Sequence, residues 1–537
     1  MKYAPSLARW FLWCYSVPSR LCFGKFQLTS EQGVQQGDPL GSLLFALGIH
    51  DCVVNVSLTP GVLWSGWYAD DATIQAPLPS PNVAHIDSFP SLSGFLKVPL
   101  SEGFELLGGA FPGVALDNLL EERLNSFTRL CERIVLLPEA HLSYTLLRSC
   151  TYAARANHIL RMVPPRLLRE WNAKLSSALR STFAKILESP IDDKLWLQCI
   201  LPHSCGGLGL SVPLFLAAGS FISSCFSALK FWKEAGNNEI AIPGCYQALS
   251  DLGLYMGSTS EACLALAHSQ DFAGYASLQP SVLVQHWWTH SMTAKAFRES
   301  RSSDTPREQL RLKLLTSDHG GEWLLLNPCR RLGTLVSSAE FRLLLRFRLG
   351  ITLSASPRLC GCCHKLLSAP EELKGDHAIC CIKAGYVRRH YVMCDHLKYL
   401  LTVAGLRWEA EIYVNAQRSL RADLVVHSFV DGKPLALDVQ VVHGLSSRLG
   451  EEAVAKGEND KKAKYSAACS MIDMNFSPVV WDTLGGLGPD SLKFMQKLIT
   501  AAAADSSQPI DTANYLWQRT ALALARAVAR QLSLSMS

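Results

Sequence analysis

The spacing of apolar residues predicts a long helical stretch in the first half of the chain. From about Leu116 to Leu229 they recur every three or four positions, as in helices that bury one face. Residues 231–358 are predicted to form further helices with polar connectors. The uncharged run from Leu210 to Leu229 contains Ser, Gly and Pro, so it predicts a buried helix with a broken start rather than a membrane span.

Two apolar runs of strand length lie nearer the C-terminus, at 421–426 and 435–442. The turn-forming sequence from Asp431 to Pro434 lies between them, which predicts a β-hairpin. Each strand carries one acidic residue, Asp423 or Asp438. A buried carboxylate is costly unless it is paired, and a metal ion is an obvious partner. The alternative is an ordinary surface hairpin with both carboxylates facing water.

A lysine-rich helix start, Lys461 to Tyr465, follows within reach of this hairpin. Two carboxylates and an ammonium group at one sheet edge can hold Mg²⁺, orient water and offset charge on a scissile phosphate.

Composition narrows the class of protein. The 537 residues favour two to four domains, and 48% hydrophobic with 18% charged residues indicates globular structure. The formal net charge of +5 permits nucleic-acid binding without demonstrating it. The 18 cysteines are scattered apart from one dense group, so we expect no disulfides and a nuclear or cytoplasmic protein that is not secreted.

That dense group has the spacing of zinc ligands. Cys360 and Cys363 are separated by two residues, and His377 and Cys381 offer a second pair across a short loop. Metal binding would supply much of the folding free energy of so short a segment. Three neighbouring residues remain competing ligands: Cys362, His364 and Cys380.

A basic helix is predicted directly after the cysteine group. It carries Arg388, Arg389 and His390, interleaved with tyrosines. Cations and aromatic rings on one helix suit phosphate contact and base stacking, although a solvated basic face is the alternative.

The N-terminal region contains two compact polar motifs. Tyr68-Ala69-Asp70-Asp71 lies between apolar residues and predicts a strand, a turn and a strand. Adjacent carboxylates at a tight turn persist best where a divalent cation neutralises them. Upstream, residues 30–45 form a Gly-rich polar loop that leads into an apolar helix, suited to backbone contact with a nucleotide and template.

These motifs together resemble the reverse transcriptases of non-LTR retrotransposons. Residues 33–45 and 68–71 look like the palm, and 137–165 with 201–210 resemble the thumb. The cysteine group, the basic segment and the acidic hairpin resemble the CCHC zinc knuckle and restriction-like (PD-(D/E)XK) endonuclease of the early-branching elements. With gaps, the resemblance covers almost the entire chain.

For the palm, the resemblance implies that Asp70 and Asp71 bind the catalytic metals. It also implies that the upstream loop lines the nucleotide and template region with Gln36, Gly37 and Asp38. The family's third catalytic aspartate belongs upstream of Gly33, but no aspartate precedes Asp38. The fingers are absent as well. We therefore expect an N-terminally truncated polymerase with little or no activity of its own.

For the nuclease, the resemblance implies that Asp423 and Asp438 coordinate Mg²⁺ or Mn²⁺. It also implies an acidic site residue on the preceding helix or strand, which is Glu411 or, as the alternative, Glu409. The usual lysine position, two residues after the second acid, is Gln440. A lysine displaced onto the following helix is the expected substitute, with Tyr465 supporting it; the candidates are Lys461 and Lys464.

The predicted fold is therefore multidomain α+β, and the predicted function is magnesium-dependent DNA nicking for target-primed reverse transcription. The expected partners are target DNA and the RNA of the retrotransposon (element RNA). Zn²⁺ is expected in the knuckle, and no membrane is expected as a partner. The alternative is a non-catalytic nucleic-acid-binding remnant of a retroelement.

The predicted segments are a partial palm at 1–114, thumb-like helices at 115–229, a helical linker at 230–355, the knuckle and basic helix at 356–395, the α/β restriction-like endonuclease at 396–500 and a C-terminal helix at 501–537.

Overall fold

The structure, a computed structural model, shows a mixed α and β protein that falls into two compact units, residues 1–115 and 116–537. It describes residues 19–23, 26–30, 41–58, 64–68, 71–75, 102–106, 109–150, 152–234, 304–415, 417–430, 432–446 and 452–536, with isolated positions between 244 and 299.

The described residues of the first unit form one long helix and several short antiparallel hairpins. The pair β3–β4 has Tyr68 opposite Asp71, which confirms the strands predicted on either side of the acidic turn. The turn residues 69 and 70 lie outside the described part. The elements are β1 (Ser19–Phe23), β2 (Phe26–Ser30), α1 (Gly41–Ser57), β3 (Trp64–Tyr68), β4 (Asp71–Gln75), β5 (Glu105–Leu106) and β6 (Gly109–Ala110).

The second unit begins with the helices that the apolar spacing predicts. On the first of them, Leu120, Phe127 and Ile134 share the buried face because they are seven residues apart. Among the described helices, none is long and apolar enough to cross a membrane. The helices are α2 (Val114–Val135), α3 (Ala140–Cys150), α4 (Tyr152–Met162), α5 (Arg169–Leu187), α6 (Asp193–Ile200), α7 (Pro213–Glu234), α8 (Pro306–Leu315) and α9 (Ser338–Leu349).

Two arginines of α9, the half-buried Arg342 and the buried Arg348, fasten it to the earlier part of this unit. Arg342 donates to the carbonyl of Ile186 at 2.8 Å, and Arg348 donates to the carbonyl of Gly207. A Cβ at Gly207 would lie 2.1 Å from the carbonyl oxygen of Leu201, so only glycine fits there. The predicted thumb-like and linker segments therefore share one core.

A four-stranded sheet forms the centre of the C-terminal half, in the spatial order β12, β11, β10, β9. The first three strands in sequence pair antiparallel, which confirms the predicted hairpin, while β11 and β12 run parallel and are joined by the crossover helix α13. The elements are β9 (Trp408–Tyr413), β10 (Arg421–Val430), β11 (Lys433–Val442), α13 (Ala453–Met471) and β12 (Asn475–Asp482).

Helices pack around this sheet and carry the cysteine group. A short hairpin and two short helices precede α12, and two helices follow β12. They are β7 (Arg358–Leu359), β8 (Leu366–Leu367), α10 (Pro370–Leu373), α11 (Asp376–Cys380), α12 (Tyr386–Val403), α14 (Pro489–Ala503) and α15 (Pro509–Met536).

A buried carboxylate fixes α13 against α14. Glu458 is 3% exposed and accepts hydrogen bonds from the backbone N–H and hydroxyl of Ser491, at 2.8 and 2.6 Å. This places a negative charge at the helix N-terminus, where it is favourable. The approach is close enough that a Cβ at Gly488 would lie 2.0 Å from Glu458.

Two details of the predicted organisation are wrong. The boundaries predicted after residues 229, 395 and 500 fall inside α7, α12 and α14, because composition does not mark where a helix ends. Lys461 and Tyr465 lie in the middle of α13 rather than at its start.

Candidate metal centre and acidic site

The cysteine group forms a compact site beside the β7–β8 hairpin. Cys360 and Cys363 lie in the hairpin turn, His377 is on α11, and Cys381 follows that helix. The four ligand atoms all lie within 4.8 Å of one another, with Cys363 Sγ at 3.3 Å from His377 Nε2. Tetrahedral zinc places sulfur and nitrogen ligands about 3.5 Å apart. The predicted set of ligands can therefore hold a metal ion such as zinc.

Hydrogen bonds prepare Cys360 for metal binding. Burial alone would raise the pKa of its thiol, but hydrogen bonds from the hydroxyl of Ser535 and from the N–H groups of Cys363 and Cys362 lower that pKa to about 6. The competing ligands do not belong to the cluster. The Cys362 thiol donates to the Leu534 carbonyl at 3.1 Å, and His364 and Cys380 are exposed.

The two hairpin aspartates lie across from each other on neighbouring strands. Leu424 pairs with Leu437 and Val425 with Ala436, so the same register sets Asp423 opposite Asp438. Asp438 is only 4% exposed, and Lys461 of α13 makes an ion pair with its Oδ2. A buried carboxylate with a close ammonium partner replaces the predicted alternative of two water-facing acids.

Other side chains of α13 and β11 surround Asp438. The hydroxyl of Tyr465 donates to the carbonyl of Arg421 at 2.9 Å, and burial together with a hydrogen bond to Asp438 raises its pKa. Gln440 is half-buried and lies against α13: a Cβ added at Gly457 of that helix would be 3.5 Å from the Gln440 amide oxygen. Lys464 is exposed and reaches the Tyr465 hydroxyl at 3.3 Å.

Asp423 is held by two hydrogen-bond donors. Its Oδ2 accepts the backbone N–H of Val439 at 2.7 Å, and its Oδ1 lies 3.3 Å from Nε2 of His390. Burial would raise the pKa of Asp423, but these two donors outweigh it and lower the pKa. The same contact raises the pKa of His390.

His390 is therefore part of the acidic site. The prediction that it contacts nucleic acid as one of a basic series does not fit this position, because its ring faces Asp423 and Val439. Cys394, one turn later on α12, also faces this site and was not predicted. The four-residue spacing between His390 and Cys394 is the signal that could have found it.

Arg389 is likewise misassigned as a nucleic-acid contact. It is 2% exposed and donates to the side chain of Gln531 at 2.8 Å and to the carbonyl of Val441 at 3.1 Å. It thus ties α12 to α15 and β11. Arg388, its neighbour, is exposed and remains available to a phosphate.

This difference gives a stability prediction. Arg389→Met should lower the free energy of unfolding by about 3 kcal/mol, because hydrogen bonds from a charged group are lost and buried carbonyls are left unpaired. Arg388→Met, the matched control, should change it by less than about 0.5 kcal/mol. Urea unfolding of both variants measures the difference, and equal destabilisation would contradict the assignment.

The acidic residues of β9 pair with basic side chains. Glu411 is 51% exposed on its side chain and pairs with Arg421 at 3.1 Å, whereas Glu409 lies 2.9 Å from His427. Glu411 lies on a strand, as one of the predicted options had it, but the structure does not bring its carboxylate to Asp423 or Asp438. Its backbone is left-handed, with φ of +58°.

The predicted polymerase residues lie largely outside the described part of the chain. Gln36, Gly37, Asp38 and Asp70 are all outside it. Asp71 is described only as the first backbone position of β4.

Comparison of the chain with the sequence profiles of known protein families finds no match. A search of curated proteins finds no match either.

Proposed function

We propose that the C-terminal half is a metal-dependent DNA endonuclease that nicks target DNA, in a protein related to non-LTR retrotransposon reverse transcriptases. The observation that carries the proposal is the arrangement of Asp423 and Asp438 on adjacent strands, with the Lys461 ammonium against the second carboxylate. Two carboxylates and a lysine placed together can bind a divalent cation and offset charge on a scissile phosphate.

The element order supports the resemblance to restriction-like endonucleases. Helix α12, strands β9 to β11, helix α13 and strand β12 follow one another, and the two aspartates lie in the middle pair of strands. Since a fold hosts many functions, the chemistry of the site carries more weight than the fold.

The residues present fit a divalent cation. Asp423 and Asp438 offer oxygen ligands, and Lys461 now offsets the buried charge of Asp438. Magnesium or manganese, when bound, would activate a water molecule for attack on phosphorus. Asp423 would hold the cation through the oxygen that His390 contacts, and Lys461 would turn its ammonium to the scissile phosphate.

Exposed groups on α12 suit contact with DNA. Arg388 is exposed, as are the rings of Tyr386, Tyr391 and Tyr399, which are between 41% and 50% accessible. Cations attract phosphates, and aromatic rings stack on unpaired bases. We propose target DNA and element RNA as partners and the nucleus as the compartment. In the N-terminal unit, the β3–β4 hairpin fits the palm resemblance because Asp71 directly follows its turn.

The test is nicking of supercoiled plasmid by the purified chain. We expect nicking with Mg²⁺ or Mn²⁺, its loss in EDTA, and a 3′-hydroxyl at the nick that a DNA polymerase can extend without end repair. Binding of DNA without nicking in either metal would contradict the proposal and favour the non-catalytic nucleic-acid-binding remnant.

A further inference from the structure

A second group of metal-ligating side chains lies beside the acidic site, formed by His390, Cys394 and Asp423. The first two are one turn apart on α12, and the third is on β10. We propose that these three residues form a second transition-metal site, distinct from the cysteine knuckle, that binds Zn²⁺ and leaves its fourth position open to water or an incoming anion.

The distances fit tetrahedral zinc. His390 Nε2 lies 3.3 Å from Asp423 Oδ1 and 3.5 Å from Cys394 Sγ. Zinc at its usual bond lengths places nitrogen and oxygen ligands about 3.3 Å apart and nitrogen and sulfur ligands about 3.5 Å apart. All three ligand atoms lie within 4.8 Å of one another. An ion can therefore enter with little movement of the backbone.

Val439 orients two of the three ligands. Its carbonyl lies 3.2 Å from His390 Nδ1 and can only accept, so Nδ1 carries a proton and donates to it. Nε2 faces Asp423 and Cys394, and in the metal-free protein it donates its proton to Asp423 Oδ1. Loss of that proton leaves a lone pair on Nε2 for the ion. The N–H of Val439 donates to Asp423 Oδ2, which leaves Oδ1 for the ion. Metal-binding histidines and carboxylates are commonly held by such hydrogen bonds.

The chemistry of the ligands selects the metal. A thiolate, an imidazole and a carboxylate together favour Zn²⁺ over Mg²⁺, which prefers oxygen ligands in octahedral geometry. Burial raises the pKa of the Cys394 thiol to about 12, so zinc binding would release two protons to solvent, one from this thiol and one from His390 Nε2. The resulting thiolate and carboxylate balance the two charges of the ion.

The site shares Asp423 with the proposed nuclease. If the proposed function holds, zinc here would withdraw a ligand from magnesium and slow nicking. Binding itself does not depend on that function, and its test contains neither DNA nor magnesium.

The test is titration of the metal-free full chain with Zn²⁺ against a chromophoric chelator. We expect two tight equivalents for the parent and one each for Cys394→Ala and His390→Gln, with the knuckle equivalent retained in both. Cys150→Ala removes an exposed cysteine on α3 and should keep two. Cobalt(II) binding should show the matching loss of thiolate charge-transfer absorption in Cys394→Ala.

One tight equivalent in the parent would overturn the proposal. Two equivalents retained by both Cys394→Ala and His390→Gln would overturn it as well. The knuckle equivalent that remains in each variant, with the thermal unfolding transition, shows that the variant is folded.

Discussion

Replacing Lys461 with methionine is expected to lower the nicking rate at least about 100-fold, because in the proposed nuclease its ammonium offsets charge on the scissile phosphate. It is half-buried, and it makes an ion pair with Asp438. Single-turnover nicking of a labelled duplex at saturating protein measures the rate of the chemical step.

Lys464→Met is the matched control on the same helix. Lys464 is exposed and reaches Tyr465 rather than a carboxylate. We expect its nicking rate to stay within about threefold of the parent rate, which is less than 1 kcal/mol in activation free energy. Nicking lost in Lys464→Met and kept in Lys461→Met would assign the role to the other lysine.

Removing zinc from the knuckle is expected to unfold that segment without unfolding the sheet. Structural zinc contributes on the order of 10 kcal/mol in small sites, and the knuckle buries few apolar side chains of its own. Cys363→Ser or chelation should therefore abolish amide protection in hydrogen exchange from Arg358 to Cys381. Loss should extend to the end of α15, because Gly361 donates to the carbonyl of Ser535 at 2.9 Å.

The sheet supplies the internal reference for this measurement. Strands β9 to β12 are held by their own hydrogen bonds, so their protection should persist. Cys380→Ser changes an exposed cysteine outside the cluster and should leave the knuckle protected. Equal loss of protection in Cys380→Ser would show that the ligands are assigned incorrectly.

Local patterns were sufficient to predict the hairpin and the knuckle. The hairpin follows from two apolar runs and a turn whose Gly432 adopts φ of +71°. The spacing of Cys360 and Cys363 identified the first ligand pair, because two intervening residues bring two thiolates to one ion. These features depend on residues that are close in sequence.

Tertiary packing decided what local patterns left open. Arg388 and Arg389 are adjacent and chemically identical, yet one is exposed and the other is buried against β11 and α15. Lys461 and Lys464 share a helix, and only the way α13 lies over the sheet separates them. The parallel pairing of β11 with β12 spans a crossover and has no signal in either strand alone.

The surroundings of His390 depend on tertiary packing in the same way. Its basic neighbours suggested nucleic-acid contact, but the helix face that carries His390 and Cys394 packs toward Asp423. A helical wheel groups these two residues, yet only the position of β10 shows what they meet.

The most direct measurement for the nuclease proposal compares the single-turnover nicking rates of Asp438→Asn and Asp473→Asn in Mg²⁺, with DNA affinity measured for both. Asp473 is an exposed carboxylate that pairs with Lys433, away from the site. We expect Asp438→Asn to lose at least about 100-fold in rate with unchanged DNA affinity, and Asp473→Asn to match the parent. Nicking by Asp438→Asn at the parental rate would contradict the account.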